Sequence, residues 1–177
     1  LGVYRDVTRG KPRGVVVIVL GSGMSPDAQV DATALRHSLP RARWATLTVA
    51  LPDVPDAVLP PRQRDKLTTA PAAAADAKPT SAASAATAVD DPLPARVRLR
   101  LNAAVEAARE KGSKVVLLGE DAAGAWVAWA QSQQLGADAI IAINTARNTP
   151  RIDGKQPKES LAALKSPALL LIEASLD

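Results

Sequence analysis

Cysteine and phenylalanine are absent from this 177-residue chain, which has one tyrosine, three tryptophans and a single histidine. Without cysteine, the chain can form no disulfide bond and cannot use a thiolate as a nucleophile. Aromatic residues make up only 2% of the sequence. Because single-stranded nucleic acids are bound largely by stacking on aromatic rings, we expect no nucleic-acid partner.

Long apolar runs are also missing, and the sequence therefore predicts no transmembrane segment. The net charge of +4 is modest. Two small basic groups stand out in the middle of the chain, for which we expect a solvated surface, the alternative being contact with an anionic ligand or a membrane surface. Their members are Arg62, Arg64, Lys66, Arg96, Arg98 and Arg100.

The apolar residues that are present fall into short runs rich in valine, isoleucine and leucine. These runs predict five buried strands, at residues 14–20, 44–51, 114–119, 137–144 and 168–174. Helical spacing follows or precedes them at about residues 30–39, 97–112, 122–134 and 158–165. Strands that alternate with helices indicate a single α/β domain over residues 1–177 with a mostly parallel sheet. Residues 1–9 are a candidate edge strand.

One long insertion, at residues 52–92, interrupts this alternation. Its centre, at residues 71–88, is a mixture of proline, alanine, serine and threonine without large apolar side chains. Such a composition gains too little from burial to offset the entropy of ordering the chain, so we predict that the centre is disordered. A mobile lid is the alternative for a loop of this length.

The loop GSGMSP after the first predicted strand raises the question of a nucleotide cofactor. A dinucleotide-binding loop needs a third glycine at position 26, which is Pro26, and an acidic residue after the next strand, where Leu51 and Pro52 stand. The Gly-Lys-Ser/Thr of a phosphate-binding loop is also absent from the sequence. We therefore predict no nucleotide cofactor, and no other cofactor or metal site is indicated.

Four segments, VVVIVLGSG, WATLTVALPDVP, VVLLGEDAAGAW and ALLLIEASLD, together resemble the α/β-hydrolase superfamily over nearly the whole chain. The chain is also similar to an uncharacterised bacterial family of hydrolase-like proteins, a domain of unknown function. This similarity lies in the first of these segments, in LPRARWATLTVALPD and in LLGEDAAGAWVAWA. The resemblance implies a three-layer α/β-hydrolase-like domain, here a fragment without some terminal elements. It also implies oxyanion-type backbone N–H groups at Ser22, Gly23 and Ala122. Export signals in similar proteins favour the periplasm over the cytoplasm.

The segment GEDAAG corresponds to the superfamily's nucleophile elbow, Gly-x-nucleophile-x-Gly. Gly119 takes the first glycine position and Asp121 the nucleophile position, whereas Ala123 replaces the second glycine and Gly124 follows one position late. Asp121 has three interpretations. In the first, it is a carboxylate nucleophile, as in relatives that cleave haloalkanes or epoxides, although those have tryptophan where Ala122 stands. In the second, it caps the next helix. In the third, the elbow is vestigial or misaligned.

A hydrolase triad would need an acid and a histidine after the elbow. Asp177 stands where the resemblance places the acid, but the only histidine, His37, lies far upstream and is expected at a helix end on the surface. Trp126 and Trp129 are expected to pack in the core, the alternative being a pocket lining. We therefore expect a catalytically inactive protein that binds a small molecule or a protein at the old active-site face. The alternative is an ester, epoxide or haloalkane hydrolase that uses Asp121 with a histidine beyond residue 177.

Overall fold

The computed structural model of the protein describes residues 2–25, 30–53, 92–143, 152, 154, 157–164 and 168–172. The predicted disordered centre at residues 71–88 and Asp177, the candidate triad acid, lie outside the described residues. The prediction of disorder and the role given to Asp177 therefore stay predictions.

The described strands form one six-stranded sheet in the order β1-β3-β2-β4-β5-β6. Only β1 runs antiparallel, at the edge beside β3, and the other five strands are parallel. This confirms the predicted parallel sheet and the edge strand near the amino terminus. The strands are β1 (Gly2–Arg5), β2 (Gly14–Leu20), β3 (Trp44–Ala50), β4 (Val115–Glu120), β5 (Ala139–Ile143) and β6 (Ala168–Ile172).

Four described α-helices connect or flank these strands. They are α1 (Val30–Ser38), α2 (Leu93–Lys111), α3 (Asp121–Ser132) and α4 (Pro157–Ala162). A 3₁₀ turn, Leu39–Ala42, follows α1 and contains Pro40. Helix α2 begins four residues earlier than predicted, because Pro92 and Pro94 stand at the helix start, where a missing N–H costs no helical hydrogen bond.

The sheet has two differently covered faces, which follow from the alternation of side chains along each strand. On the first, named the α3 face, Val17 and Leu117 pack with Leu101 of α2 and Trp126 of α3 in the larger core cluster. On the second, named the α1 face, a smaller cluster joins α1 to β2 and β4. Its buried members are Val16, Ile18, Leu20, Ala32 and Leu118.

The tryptophan pair belongs to the α3 face, as expected. Trp126 and Trp129 are both buried, and their rings meet edge to face with centroids 5.4 Å apart and an interplanar angle of 88°. That arrangement is favourable for aromatic pairs and fixes α3 against the core. The expectation that both side chains lie in the core is confirmed.

Two findings concern the described ranges alone. None of the helices described there is long and apolar enough to cross a membrane. Within the same ranges, no three side chains of histidine, aspartate or glutamate come together in a group that could hold a metal ion.

Candidate active-site edge

The pairing of β2 with β4 brings the two candidate loops to one edge of the sheet. Val19 lies opposite Gly119, so both strands end at the same level and run parallel. The β2–α1 loop, which contains Ser22 and Gly23, therefore starts beside the β4–α3 turn, which contains Asp121 and Ala122. In open α/β sheets, ligands bind in the crevice outside the carboxyl ends of the strands.

A steric requirement explains Gly119 at the end of β4. A Cβ added at this residue would lie 2.7 Å from the carbonyl carbon and oxygen of Ala123 and from the nitrogen of Gly124. Helix α3 thus approaches the strand so closely that any side chain at residue 119 would meet backbone atoms. Ala123, which replaces the second glycine of the elbow pattern, is buried. The departure from the pattern at Ala123 therefore leaves the turn intact.

Asp121 has the backbone of a strained turn residue. Its φ is +49°, in the left-handed region, which residues other than glycine seldom adopt and which aspartate and asparagine tolerate best. Strain of this type costs about 1–3 kcal/mol and is common at functional sites. The side chain is exposed and forms no hydrogen bond or ion pair with any described residue.

The capping interpretation of Asp121 requires a hydrogen bond that the described residues do not contain. Glu120 occupies the N-cap position of α3, in extended backbone, and makes no capping hydrogen bond through its side chain. Asp121 is the first residue of the helix, where its charge complements the helix dipole. The described residues therefore give no support to the capping interpretation.

The β2–α1 loop is held in place by one side chain. The hydroxyl of Ser22 donates a hydrogen bond of 2.9 Å to the carbonyl oxygen of Pro52, just after β3. Gly23 adopts a φ of +71°, which glycine reaches without steric cost. The Ser22 hydroxyl therefore anchors the loop to the segment that follows β3. The oxyanion role of the Ser22 and Gly23 backbone stays a prediction.

His37 lies at the opposite edge of the sheet. It is an exposed residue in the last turn of α1, as expected, and its Nδ1 accepts a hydrogen bond of 2.8 Å from the Arg5 guanidinium of β1. Helix α1 begins after the carboxyl end of β2 and ends near the amino end of β3. The hydrogen-bond partner of His37, Arg5, lies on β1, three strand positions from β4, which corresponds to about 14 Å across the sheet. His37 is too far from Asp121 to act as its base.

A half-open cavity of about 330 Å³ lies between α1 and the carboxyl ends of β2, β4 and β5. The described residues that line it are mostly aliphatic, with Glu120 as their charged member. They are Ile18, Val19, Leu20, Ala32, Ala34, Leu35, Leu118, Glu120 and Ile143. The sequence analysis did not single out this site. Glu120 could have been found from strand alternation, since it follows Leu118 onto the α1 face.

Comparison with solved structures shows an α/β-hydrolase fold. Est1E from Butyrivibrio proteoclasticus is 13% identical, with a TM-score of 0.52, and the match covers 89% of this chain and 54% of that one. A dienelactone hydrolase from Anabaena variabilis is 15% identical with a TM-score of 0.51, at 97% and 79% coverage. One metagenome-derived lipolytic enzyme is 15% identical with a TM-score of 0.54, at 97% and 74% coverage.

The chain thus spans about half the length of Est1E and about three quarters of the other two structures. No curated protein matches it. A family model described as "Protein of unknown function (DUF3530)" matches residues 1–173. The resemblance to a hydrolase-like family of unknown function is therefore confirmed, and the chain belongs to the DUF3530 family.

Proposed function

We propose that this protein is a non-catalytic member of the α/β-hydrolase fold that binds a ligand at the carboxyl edge of its sheet. One observation carries the proposal: the elbow is built, but its nucleophile position holds an aspartate that no described base contacts. The turn at Gly119 and the left-handed backbone of Asp121 are those of an elbow. His37, the only histidine of the sequence, lies at the opposite edge of the sheet.

The missing base matters because of what a carboxylate nucleophile must do. An aspartate that attacks a carbon centre forms an ester, which water must then cleave. That second step needs a general base within hydrogen-bonding reach of the water, most often histidine. Without one, the enzyme would stop at the ester. Asp121 also lacks an adjacent tryptophan, since Ala122 follows it.

The cavity beside the elbow supports a binding role. Its volume of about 330 Å³ is at the lower end of the range for small-molecule sites, and its aliphatic lining suits an apolar ligand. It lies at the carboxyl ends of parallel strands, where open α/β sheets bind their ligands. A binding protein needs this cavity and no catalytic group.

A second candidate function is hydrolysis with Asp121 as the nucleophile and a histidine outside these 177 residues. The specific observation in its favour is that Asp121 is exposed at the strained apex of the elbow and its carboxylate makes no hydrogen bond with described residues. Strain at one residue is a recognised property of catalytic sites. Under this hypothesis, the substrates would be esters, epoxides or haloalkanes.

Incubation of the full-length protein with a panel of esters, epoxides and haloalkanes separates the two candidates. We expect no turnover by the natural protein. Asp121→Asn, which keeps a residue that tolerates the left-handed backbone, is expected to melt within about 2 °C of it. Glu106→Gln, on the exposed side of α2, is the matched control for loss of one carboxylate. Turnover that Asp121→Asn abolishes and Glu106→Gln preserves, with both variants folded, would establish the hydrolase.

A further inference from the structure

The amino edge of the sheet, where the parallel strands begin, carries an array of basic residues. Each of the three central strands is preceded directly by one of them: Arg13 stands before β2, Arg43 before β3 and Lys114 before β4. The parallel pairing of β2 with both neighbours aligns the starts of these strands. Because neighbouring strands are about 4.8 Å apart, the backbones of the three residues lie within about 10 Å of one another.

Hydrogen bonds fix the segments that carry these residues against one another. The N–H of Arg13 donates to the carbonyl oxygen of Arg43, and the N–H of Val15 donates to that of Lys114, each at 2.8 Å. The Arg43 guanidinium donates to the carbonyl oxygen of Lys11 from two of its nitrogens, at 3.0 and 3.2 Å. The fold therefore holds the basic residues together on one surface.

We name this surface the amino-edge patch and define it by six exposed basic residues. None of the six forms an ion pair with any described residue, whereas Arg109 nearby is paired with Asp138 at 3.1 Å. Asp6 and Glu110 are the further acidic residues of the described segments at this edge. Like charges at short spacing repel one another, and a partner with many negative charges relieves that repulsion. The six residues are Arg9, Lys11, Arg13, Arg41, Lys111 and Lys114.

A tryptophan lies at the same edge. Trp44 is the first residue of β3, follows Arg43 directly and is half-buried. A tryptophan side chain combines a large apolar ring with a polar N–H, and it is enriched where membranes meet water. Basic residues beside a tryptophan are typical of surfaces that lie on an anionic bilayer. One ring is too few for the stacking on which binding of single-stranded nucleic acids depends.

We propose that the amino-edge patch binds an anionic membrane surface, with its basic side chains at the lipid headgroups and Trp44 at the interface. This surface is separate from the ligand site proposed above, because the cavity lies at the carboxyl ends of the strands. The seven residues of β2 span about 20 Å between the two edges, more than twice the distance over which physiological salt screens charges. A protein bound in this way presents its cavity to the water.

Co-sedimentation of the full-length protein with lipid vesicles tests the proposal. We expect binding to phosphatidylcholine vesicles that contain about 30% phosphatidylglycerol, and no binding to vesicles of phosphatidylcholine alone. Salt at about 0.5 M should release the protein, because it screens the attraction. Absence of binding to the anionic vesicles, or equal binding to both kinds, would overturn the proposal. Tighter binding to a short DNA duplex or to polyglutamate than to the anionic vesicles would overturn it as well.

Arg13→Gln/Lys114→Gln tests the location of the surface. Both side chains are exposed and contact no described residue through a hydrogen bond or ion pair, so the variant should melt close to the natural protein. Each basic residue near an anionic bilayer strengthens binding about fivefold, so we expect binding about 25-fold weaker. Arg96→Gln/Arg98→Gln, about 20 Å along α2 from Lys111, has the same change of net charge and should bind like the natural protein. Equal losses would overturn the proposal.

Tryptophan fluorescence gives a second readout that leaves the charges unchanged. Bromine atoms on lipid acyl chains quench only rings that reach the bilayer, and Trp126 and Trp129 are buried in the core. We expect brominated anionic vesicles to quench the natural protein and to have little effect on Trp44→Phe. Quenching that persists in a folded Trp44→Phe variant would place another surface on the bilayer and overturn the proposal. If Trp44→Phe does not fold, the two double variants decide.

Discussion

The two faces of the sheet differ in how completely helices and side chains cover their strands. On the α3 face, α2 and α3 cover the strands with large side chains, and the core there includes Leu101, Leu117 and both buried tryptophans. On the α1 face, one short helix packs against β2 and β4, and Val116 and Ile141 are only half-buried. The cavity lies on this second face. The α3 face thus stabilises the fold, and the α1 face retains space that a ligand can use.

The buried polar groups differ between the faces in the same way. On the α3 side, Gln131 uses both ends of its amide, donating to the carbonyl oxygen of Ala137 and accepting from its N–H, each at 3.2 Å. On the α1 side, the hydroxyls of Thr46 and Thr48 are fully buried without a protein hydrogen-bond partner. Unpaired buried hydroxyls reduce stability. Satisfied and unsatisfied polar groups are therefore separated by the sheet.

The largest expected effect comes from two adjacent leucines of β4 that point to opposite faces. Leu117→Ala is expected to lower the free energy of unfolding by about 3–5 kcal/mol, because it leaves a cavity in a closed core. Leu118→Ala is expected to cost about 1–2 kcal/mol, because it only enlarges a cavity that is already open. Urea denaturation of both variants measures the difference. Equal losses would show that the two faces are equally well packed.

A smaller loss of stability is expected for a substitution at the elbow. Gly119→Ala should cost about 1–3 kcal/mol, since the new methyl group would meet the backbone of α3 at Ala123 and Gly124. Gly136→Ala is the control, because no atom lies within 4 Å of its added Cβ and the remaining penalty comes from its φ of +86°. Thermal unfolding of the two variants should place Gly119→Ala lower. The opposite order would contradict the close approach of helix and strand.

Gln131→Met tests the satisfied polar group on the α3 side. It keeps the length of the side chain but leaves the N–H and carbonyl of Ala137 without their partners, at an expected cost of about 1–2 kcal/mol. Gln133→Met, at a half-buried position in the turn after α3, is the control and should change stability by less than about 0.5 kcal/mol. Urea midpoints that coincide for the two variants would rule out a role for the Gln131 hydrogen bonds.

The smallest expected effect is a gain in stability. Thr46→Val and Thr48→Val keep the shape of the side chain and replace unpaired buried hydroxyls, so each is expected to raise stability by about 0.5–1 kcal/mol. Thr8→Val is the control, because the Thr8 hydroxyl donates a hydrogen bond of 3.3 Å to the carbonyl oxygen of Pro40. Loss of that hydrogen bond should lower stability. Calorimetry should therefore show a higher melting temperature for the first two variants only. Destabilisation by either would mean that its hydroxyl has a partner.

The strands were predictable from the sequence because each buried strand is a continuous apolar run. GVVVIVL coincides with β2, and the neighbouring runs give β3 and β4 within one residue at each end. Strand β5 begins two residues later than predicted, since apolar patterning does not mark where pairing starts. The predicted carboxyl ends of β5 and β6 lie outside the described residues. Helix α2 begins earlier than predicted because helical spacing of apolar residues does not mark a first turn that contains proline.

The site was predictable only in part. The roles of the elbow glycine and aspartate were predicted from the resemblance to the superfamily's elbow pattern. The positive φ of Asp121 and its lack of a hydrogen bond were not predicted, since both depend on how α3 meets the sheet. The cavity was missed because its lining comes from four elements that are distant in sequence.

The central pairing of the sheet has a consequence for biosynthesis. Val15 lies opposite Val115, so the two middle strands meet across 100 residues of chain (115 − 15). At a synthesis rate of about 5–20 residues per second, β2 waits on the order of 5–20 s for its partner. During that time its seven buried residues, with no charge or proline among them, form an aggregation-prone segment. Until β4 emerges from the ribosome, the edge of β2 that will pair with it stays open to strands of other chains.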